Sequence, residues 1–552
     1  MVDRSKRRGS GFLQHRRLAC LVLPLAAASL SILPSSASAQ AAGPTVATPA
    51  GRIEGKAMPS GVTAFLGIPY AAAPVRDLRW RDPQPVKPFA SVFHADRYGP
   101  QCPQPGRNAM ANQYSGPETT SEDCLYLNVW TKPGSKKAPV IVFLHGGAFF
   151  IGSSSMPIYG GEQVAQHGAV FVNLNYRLGV LGFLAHPELS KESPHHSSGD
   201  YGFLDQIAAL QWVKRNIAAF GGDPDDVTIV GQSAGSMSVL ALQASPLAKG
   251  LFQRAIGMSG AAIGATGPFA LRPLSQAEGE GTKFQALVKA GSLAEMRDLP
   301  VERLTLPRAP GAPAIGAIQD GYVLPAPIET IFAEGRQNDV PVLLGFARDE
   351  ALGGFGTVTS LADYRARATA RFGARAAEFL SLYPAATDQE AQAQARLADR
   401  DSTMVLPMKQ WAMAQQARGR ARVYSYMFAH PHSYVPGVRF SDLDPTTAGA
   451  YHTSEVPFWL GTLDSFNRYR PTRAWTAADR ALSAQMIDAL IAFARSGKPG
   501  VAGLSFPTFD KADPTLLMLD TPSRPAPWPD ARKLAFFSEQ PAPPPAPRAV
   551  RD

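Results

Sequence analysis

Val227-Thr228-Ile229-Val230-Gly231-Gln232-Ser233-Ala234-Gly235-Ser236-Met237-Ser238-Val239-Leu240-Ala241-Leu242 begins as one kind of structure and ends as another. Its first four residues are a short β-branched run that reads as a buried strand. Ser236 to Leu242 reads as the first turns of a helix. Between the two stands G-x-S-x-G, and that pattern at a strand-to-helix junction is a nucleophile elbow. Glycine on both sides of the serine supplies the freedom that so sharp a turn demands. Ser233 is then held above the sheet at a helix N-terminus, where the dipole favours developing negative charge.

The chain on either side repeats the alternation. Residues 139–144 are almost wholly apolar, as a strand covered on both faces should be, and they run into His145-Gly146-Gly147-Ala148-Phe149. Residues 125–130 and 169–174 read as further strands. Residues 205–219 carry helical spacing through Ile207, Leu210, Val213 and Ile217, until Gly221-Gly222 stops them. Near the start, residues 51–55 and 62–70 read as the two strands of a hairpin. Further on, residues 340–346 form a strand and residues 477–496 an amphipathic helix. Apolar strands alternating with helices predict an α/β fold built on one large, mostly parallel central sheet with helices on both faces. Residues 262–339 and 351–447 turn less regular and more helical. They are expected to be insertions walling the C-terminal edge of that sheet, where α/β ligands bind.

At 552 residues, with 45% hydrophobic and 18% charged positions, the chain has ample material for a large core. Its formal charge of +9 is concentrated at one end. Residues 1–39 hold six Lys/Arg against Asp3 alone, so 48 bases and 44 acids remain beyond them, a balance of +4. Nothing there argues for a nucleic-acid partner. Those first residues have the three parts of a cleaved export signal: a basic region to Arg17, an apolar run over 18–33, and Ala37-Ser38-Ala39 before Gln40. Residues 40–539 are then one folded catalytic domain, and the proline-rich residues 540–552 a tail. The expectation is a periplasmic or secreted protein with no stable membrane insertion after signal cleavage. Cys20 leaves with the signal, so Cys102 and Cys124 are the two cysteines left to meet an oxidising compartment. An even count there implies one disulfide, closing a loop of about 20 residues and worth roughly 3 kcal/mol in the chain-entropy model.

A serine hydroxyl is a poor nucleophile until a base takes its proton, and an acid must orient that base. Acyl transfer also needs backbone N–H donors for the oxyanion. His145-Gly146-Gly147-Ala148, at the end of an apolar strand and upstream of G-x-S-x-G, supplies them. The expected donors are the N–H groups of Gly146 and Gly147, with that of Ala234 just after the nucleophile.

Six stretches resemble a known family, the type-B carboxylesterases of the carboxylesterase/cholinesterase branch of the α/β-hydrolases. They are Glu122-Asp123-Cys124-Leu125-Tyr126-Leu127-Asn128-Val129, His145-Gly146-Gly147-Ala148-Phe149, Asn175-Tyr176-Arg177-Leu178-Gly179, Gly199-Asp200-Tyr201-Gly202-Phe203-Leu204-Asp205-Gln206, Phe220-Gly221-Gly222-Asp223-Pro224 and Gly231-Gln232-Ser233-Ala234-Gly235. The resemblance runs from about Gly51 to Phe537. It implies an α/β-hydrolase fold with helical insertions walling an active-site gorge, and a small-molecule ester as substrate. It also implies hydrolysis through an acyl-enzyme by serine, histidine and glutamate, with no cofactor. Gly345-Phe346-Ala347-Arg348-Asp349-Glu350 resembles the acid segment and places the acid on Glu350. Gly449-Ala450-Tyr451-His452-Thr453-Ser454-Glu455 resembles the base segment and places the base on His452. The family's first disulfide matches Cys102–Cys124. Two other readings stand beside the carboxylesterase one: a lipase for longer acyl chains, and a non-catalytic binding or adhesion member of the same fold.

The chain departs from the family twice. Ala148 stands where a third glycine is usual, adding only a methyl, so the oxyanion hole should survive. Residues 102–124 contain no tryptophan, and Tyr114 is their only aromatic residue, so the cation–π contact that holds choline in cholinesterases is missing. A choline-ester specialist is therefore not expected. Of the competing histidines, His195-His196 reads as a solvated turn and His430-Pro431-His432 as an unsupported ligand pair, so no metal is inferred. Asp349 is read as holding its turn through backbone N–H groups.

Overall fold

The apolar stretches pair edge to edge into one eleven-stranded sheet in the computed structural model, which describes residues 43–106, 110–112, 119–264, 270–305, 311–352 and 354–539. The proposed signal (1–39), the tail (540–552), Tyr114 and Gly353 lie outside the described residues. In chain order the strands are β1 (Lys56–Ala57), β2 (Thr63–Pro69), β3 (Tyr126–Thr131), β4 (Ala138–Leu144), β5 (Val170–Leu174), β6 (Gly222–Gln232), β7 (Arg254–Met258), β8 (Val342–Ala347), β9 (Val423–Phe428), β10 (Thr515–Leu519) and β11 (Arg524–Pro527). Across the sheet they run β11-β10-β9-β8-β7-β6-β4-β5-β3-β2-β1. From β10 through β5 every pairing is parallel. Both flanks are antiparallel. The edge strand β11 contains Pro525 and Pro527, which a central ladder would reject.

The central strands are apolar throughout because both faces are covered. Along β4, Val140, Val142 and Leu144 face one core while Ile141 and Phe143 face the other. Helices α1 (Tyr201–Asn216), α2 (Ala234–Ala244) and α3 (Leu406–Arg418) close the first core; α4 (Ala477–Ser496) closes the second. Trp411 on α3 and Trp459 on the opposite face are fully buried. Truncating either to alanine costs about 3–5 kcal/mol on the scale of other large core residues. The helix expected over 205–219 starts earlier, at Tyr201, and tightens into a final turn over Ile217–Phe220. Gly221 ends it in the left-handed region at φ 86°.

Two expectations need correction. Gly51–Glu54 does not form a hairpin with residues 62–70. It pairs antiparallel with Thr45–Thr48 and parallel with Phe93–His94 in a separate three-stranded sheet, while the hairpin partner of β2 is β1. Nor is the block 351–447 all insertion. It contains β9, a strand buried between β8 and β10, and α3, which packs on a face of the sheet. The chain leaves the parallel strands at their C-terminal ends into the His145, Ser233, Ser259 and Glu350 segments, so one edge of the sheet collects them all.

Candidate active site

Ser233 occupies the junction between β6 and α2 at φ 58°, ψ −123°, a conformation that costs a non-glycine residue about 1–3 kcal/mol. The surroundings impose it. The Ser233 N–H donates to the Met258 carbonyl on neighbouring β7 at 2.8 Å, and its own carbonyl accepts from Met237 N–H in the first turn of α2. Both flanking glycines are required by close approach. A Cβ on Gly231 would lie 2.1 Å from the Gly235 carbonyl oxygen, and one on Gly235 would lie 2.0 Å from that of Leu144. The motif thus records how tightly strand and helix meet.

Ser233 Oγ lies 2.9 Å from His452 Nε2, and His452 Nδ1 lies 2.7 Å from Glu350 Oε2. Those three residues come from the ends of β6 and β8 and from the long loop after β9. Glu350 is fully buried, and its Oε1 accepts from the Ala347 N–H and from Ser259 Oγ. Burial works against a charge on His452, but the adjacent Glu350 carboxylate outweighs it and raises the imidazole pKa above its ordinary value. Asp349 points elsewhere. Its Oδ2 accepts from the Ala450 N–H at 2.8 Å, and its own N–H donates to the Ala450 carbonyl, so it ties the acid loop to the base loop two residues before His452.

A second buried glutamate stands behind this pair. Glu455 Oε1 is 3.0 Å from Ser259 Oγ, the same hydroxyl that serves Glu350. Burial, and then the Glu350 charge, push the Glu455 pKa up to about 8. A protonated Glu455 donates to Ser259, and Ser259 donates to Glu350, so one hydrogen-bond chain links two carboxyls that share a single negative charge.

At the end of β4, Gly147 is in the positive-φ region at 118°, and Ala148 and Phe149 follow at 55° and 59°. Among the described residues none accepts a hydrogen bond from the N–H of Gly146 or Gly147. Ala234 opens α2, where the first N–H groups have no partner inside the helix. His145 braces this turn. Its Nδ1 donates to the Gly146 carbonyl at 2.9 Å, and its ring stacks on Tyr176 at 4.4 Å, whose hydroxyl donates to the His145 carbonyl. Burial lowers the His145 pKa to about 4, so the ring is neutral at ordinary pH. Arg177, next in that motif, forms a buried bidentate pair with Asp205 on α1. Breaking such a pair from one side costs about 3–5 kcal/mol. Cys102 and Cys124 are joined by a disulfide. Inside that loop Gln104 accepts from the Gly152 N–H and donates to the Gly152 carbonyl, both at 2.8 Å.

The paired histidines of 430–432 separate. His430 lies between Asp479 and Asp520, and His432 is held by Ser454, Tyr451 and Arg473. Among the described residues no group of three or more His, Cys, Asp or Glu is gathered to hold a metal ion. Sequence reasoning missed Ser259, Glu455 and the side chain of Gln232, which reaches His452. Their one legible signal was position: Ser259 directly follows a strand, Glu455 lies three residues beyond His452, and Gln232 precedes the serine.

A model of the carboxylesterase family matches residues 42–537. Fumonisin B1 esterase of Sphingopyxis macrogoltabida is 36% identical over 479 residues, covering 84% of each chain. Para-nitrobenzyl esterase of Bacillus subtilis (strain 168) is 35% identical over 491 residues, 86% of this chain and 94% of its own. Solved structures of PNB esterase and of a thermophilic PNB esterase superpose with TM-scores of 0.72 and 0.74. Both are 32% identical, and each match covers 89% of this chain and 99% of the other.

Proposed function

The chain belongs to the carboxylesterase family and is a carboxylic ester hydrolase of α/β-hydrolase fold, and we propose that it works through an acyl-enzyme on Ser233. The observation that carries this reading is the unbroken chain from Ser233 Oγ to His452 Nε2 and from His452 Nδ1 to Glu350, at 2.9 and 2.7 Å. His452 takes the serine proton as Oγ attacks the ester carbonyl. The N–H groups of Gly146, Gly147 and Ala234 receive the oxyanion. The imidazolium, held by Glu350, returns the proton to the leaving alcohol, and water then releases the acid by the same steps in reverse order. Small to medium esters are the proposed substrates.

Ser233→Ala should abolish turnover of p-nitrophenyl esters while leaving the fold intact. An organophosphate should label the wild type once per chain and the variant not at all; label on another serine would remove the assignment. Comparing acyl chains of rising length separates an esterase, whose kcat/KM peaks at short chains, from a lipase.

The disulfide supports the further reading that residues 1–39 direct export and that residues 40–539 are the catalytic domain. No helix among the described residues is long and apolar enough to cross a membrane. Fractionating cells that express the full chain, and sequencing the N-terminus of the product, tests export and cleavage together.

A further inference from the structure

We propose that Gln232 is a positioning residue whose side-chain amide follows the protonation state of His452, donating to the neutral ring and accepting from the imidazolium. This rests on the assignment of His452 as the base. Gln232 ends β6 and is fully buried. Its Nε2 lies 3.3 Å from His452 Nε2, the ring nitrogen that also lies 2.9 Å from Ser233 Oγ.

The direction of each bond follows from the ring. His452 Nδ1 faces a carboxylate and must donate to it, so Nε2 of the neutral ring can only accept. An amide facing it must therefore present its NH2. The ring nitrogen is shared between the serine O–H and the amide N–H, and the serine holds the shorter contact. The opposite end of the amide is the unusual one. Gln232 Oε1 is buried with no hydrogen-bond partner among the described residues. It fits beside Gly146 only because that residue has no Cβ, which would come within 2.9 Å of it. A buried carbonyl left without a donor is a cost that the resting site does not offset.

Proton transfer supplies the missing donor. When Ser233 attacks, its proton moves from Oγ to His452 Nε2, and that nitrogen turns from acceptor to donor. A half-turn of the Gln232 amide, about a terminal torsion that is broad and roughly two-fold, exchanges NH2 for Oε1 at the same place. No hydrogen bond on Oε1 resists the turn. The imidazolium is then held at both nitrogens, by Glu350 and by Gln232, until its proton passes to the leaving alcohol. Gln232 itself neither gains nor loses a proton. The other groups about the ring are Ser233 on the Nε2 side and, behind Glu350 on the Nδ1 side, Ser259 and Glu455. Glu350 therefore supplies the negative charge, and Gln232 supplies a neutral acceptor that does not trap the proton.

Gln232→Met keeps the length and removes the hydrogen bonds; Gln232→Glu keeps the shape and adds a charge. With a p-nitrophenyl ester, Gln232→Met should lower kcat by about ten- to a hundredfold, the range of a lost hydrogen bond to a charged group, with KM within about threefold. The acid limb of its kcat/KM profile should move down by about half to one pH unit. In Gln232→Glu that limb should move up by about one unit or more, because a carboxylate within 4 Å favours the charged ring. A Gln232→Met enzyme of wild-type kcat overturns the inference, and so does a fall in kcat with the acid limb unmoved in both variants, which is what lost packing alone would give. His452→Gln separates the two levels: retained turnover would remove the base assignment itself. An inactive His452→Gln beside an unchanged Gln232→Met would remove only the role of Gln232.

Discussion

Asp349 and Glu350 are neighbours at the end of β8, and their next contacts separate them. Successive side chains leave an extended or turning chain in different directions, so both cannot meet one imidazole. Glu350 goes inward to His452, Ser259 and the Ala347 N–H; Asp349 goes to the Ala450 N–H and to Arg348. Glu350→Gln should therefore cut kcat by roughly two to four orders of magnitude with little change in stability, scaled from the acid's role in serine proteases. Asp349→Asn should chiefly lower stability, by about 1 kcal/mol, as for other lost side-chain-to-backbone bonds. Steady-state kinetics and denaturant melts of the two variants check this, and the reverse pattern would shift the acid by one residue. At this scale the sequence was informative where chemistry depends on a local pattern: G-x-S-x-G marks its serine by the geometry of one turn. Ser259 and Glu455 were not legible, because they approach Glu350 from segments 91 and about a hundred residues away along the chain, and only the fold closes those distances.

Between residue and molecule, the loop closed by Cys102–Cys124 reaches the proposed oxyanion turn through Gln104 and its two hydrogen bonds to Gly152. Removing the covalent link frees the unfolded chain and loosens that anchor together. Cys102→Ser/Cys124→Ser should lose about 3 kcal/mol of stability in the chain-entropy model. It should also lose some kcat with the same KM, because Gly152 is held five residues beyond Gly147. Denaturant midpoints and initial rates measure both; an unchanged midpoint would show the link to be energetically idle. Cysteine count was enough to read this element, whereas β9 was lost to the sequence reading. Val423-Tyr424-Ser425-Tyr426-Met427-Phe428 is short, carries a serine at its centre and follows α3 after only a brief link. Nothing local marks it as central; its place comes from non-local pairing with β8 and β10.

Over the whole molecule, several buried groups make stability depend on pH, and their signs differ. Burial holds His145 near 4, and burial aided by Arg473 holds His432 near 3. Below an ordinary histidine value of about 6.5 the unfolded chain binds protons that these two refuse, so they lower stability as the solution turns acid. Above about 6.5 they are neutral in both states and drop out. Glu455 has the opposite sign. Its folded pKa of about 8 lies above the ordinary 4.5, so its contribution is complete below 4.5 and is lost as pH rises through 8. Asp200, raised by burial and by Asp320, and His452, raised by Glu350 against its burial, act in the same sense as Glu455. From about pH 6.5 to 8, therefore, Glu455 pulls one way while His145 and His432 no longer titrate, and the wild type should lose stability as pH rises. Glu455 alone contributes about 1.4 kcal/mol per pH unit of that slope. Glu455→Gln keeps a neutral side chain that can still donate to Ser259, and it removes the titration. Its unfolding free energy should fall less steeply than the wild type's between pH 6.5 and 8, with the two curves becoming parallel above about 8. Urea titrations at half-unit intervals read the two slopes directly, and identical slopes would mean that Glu455 is already ionised in the native state.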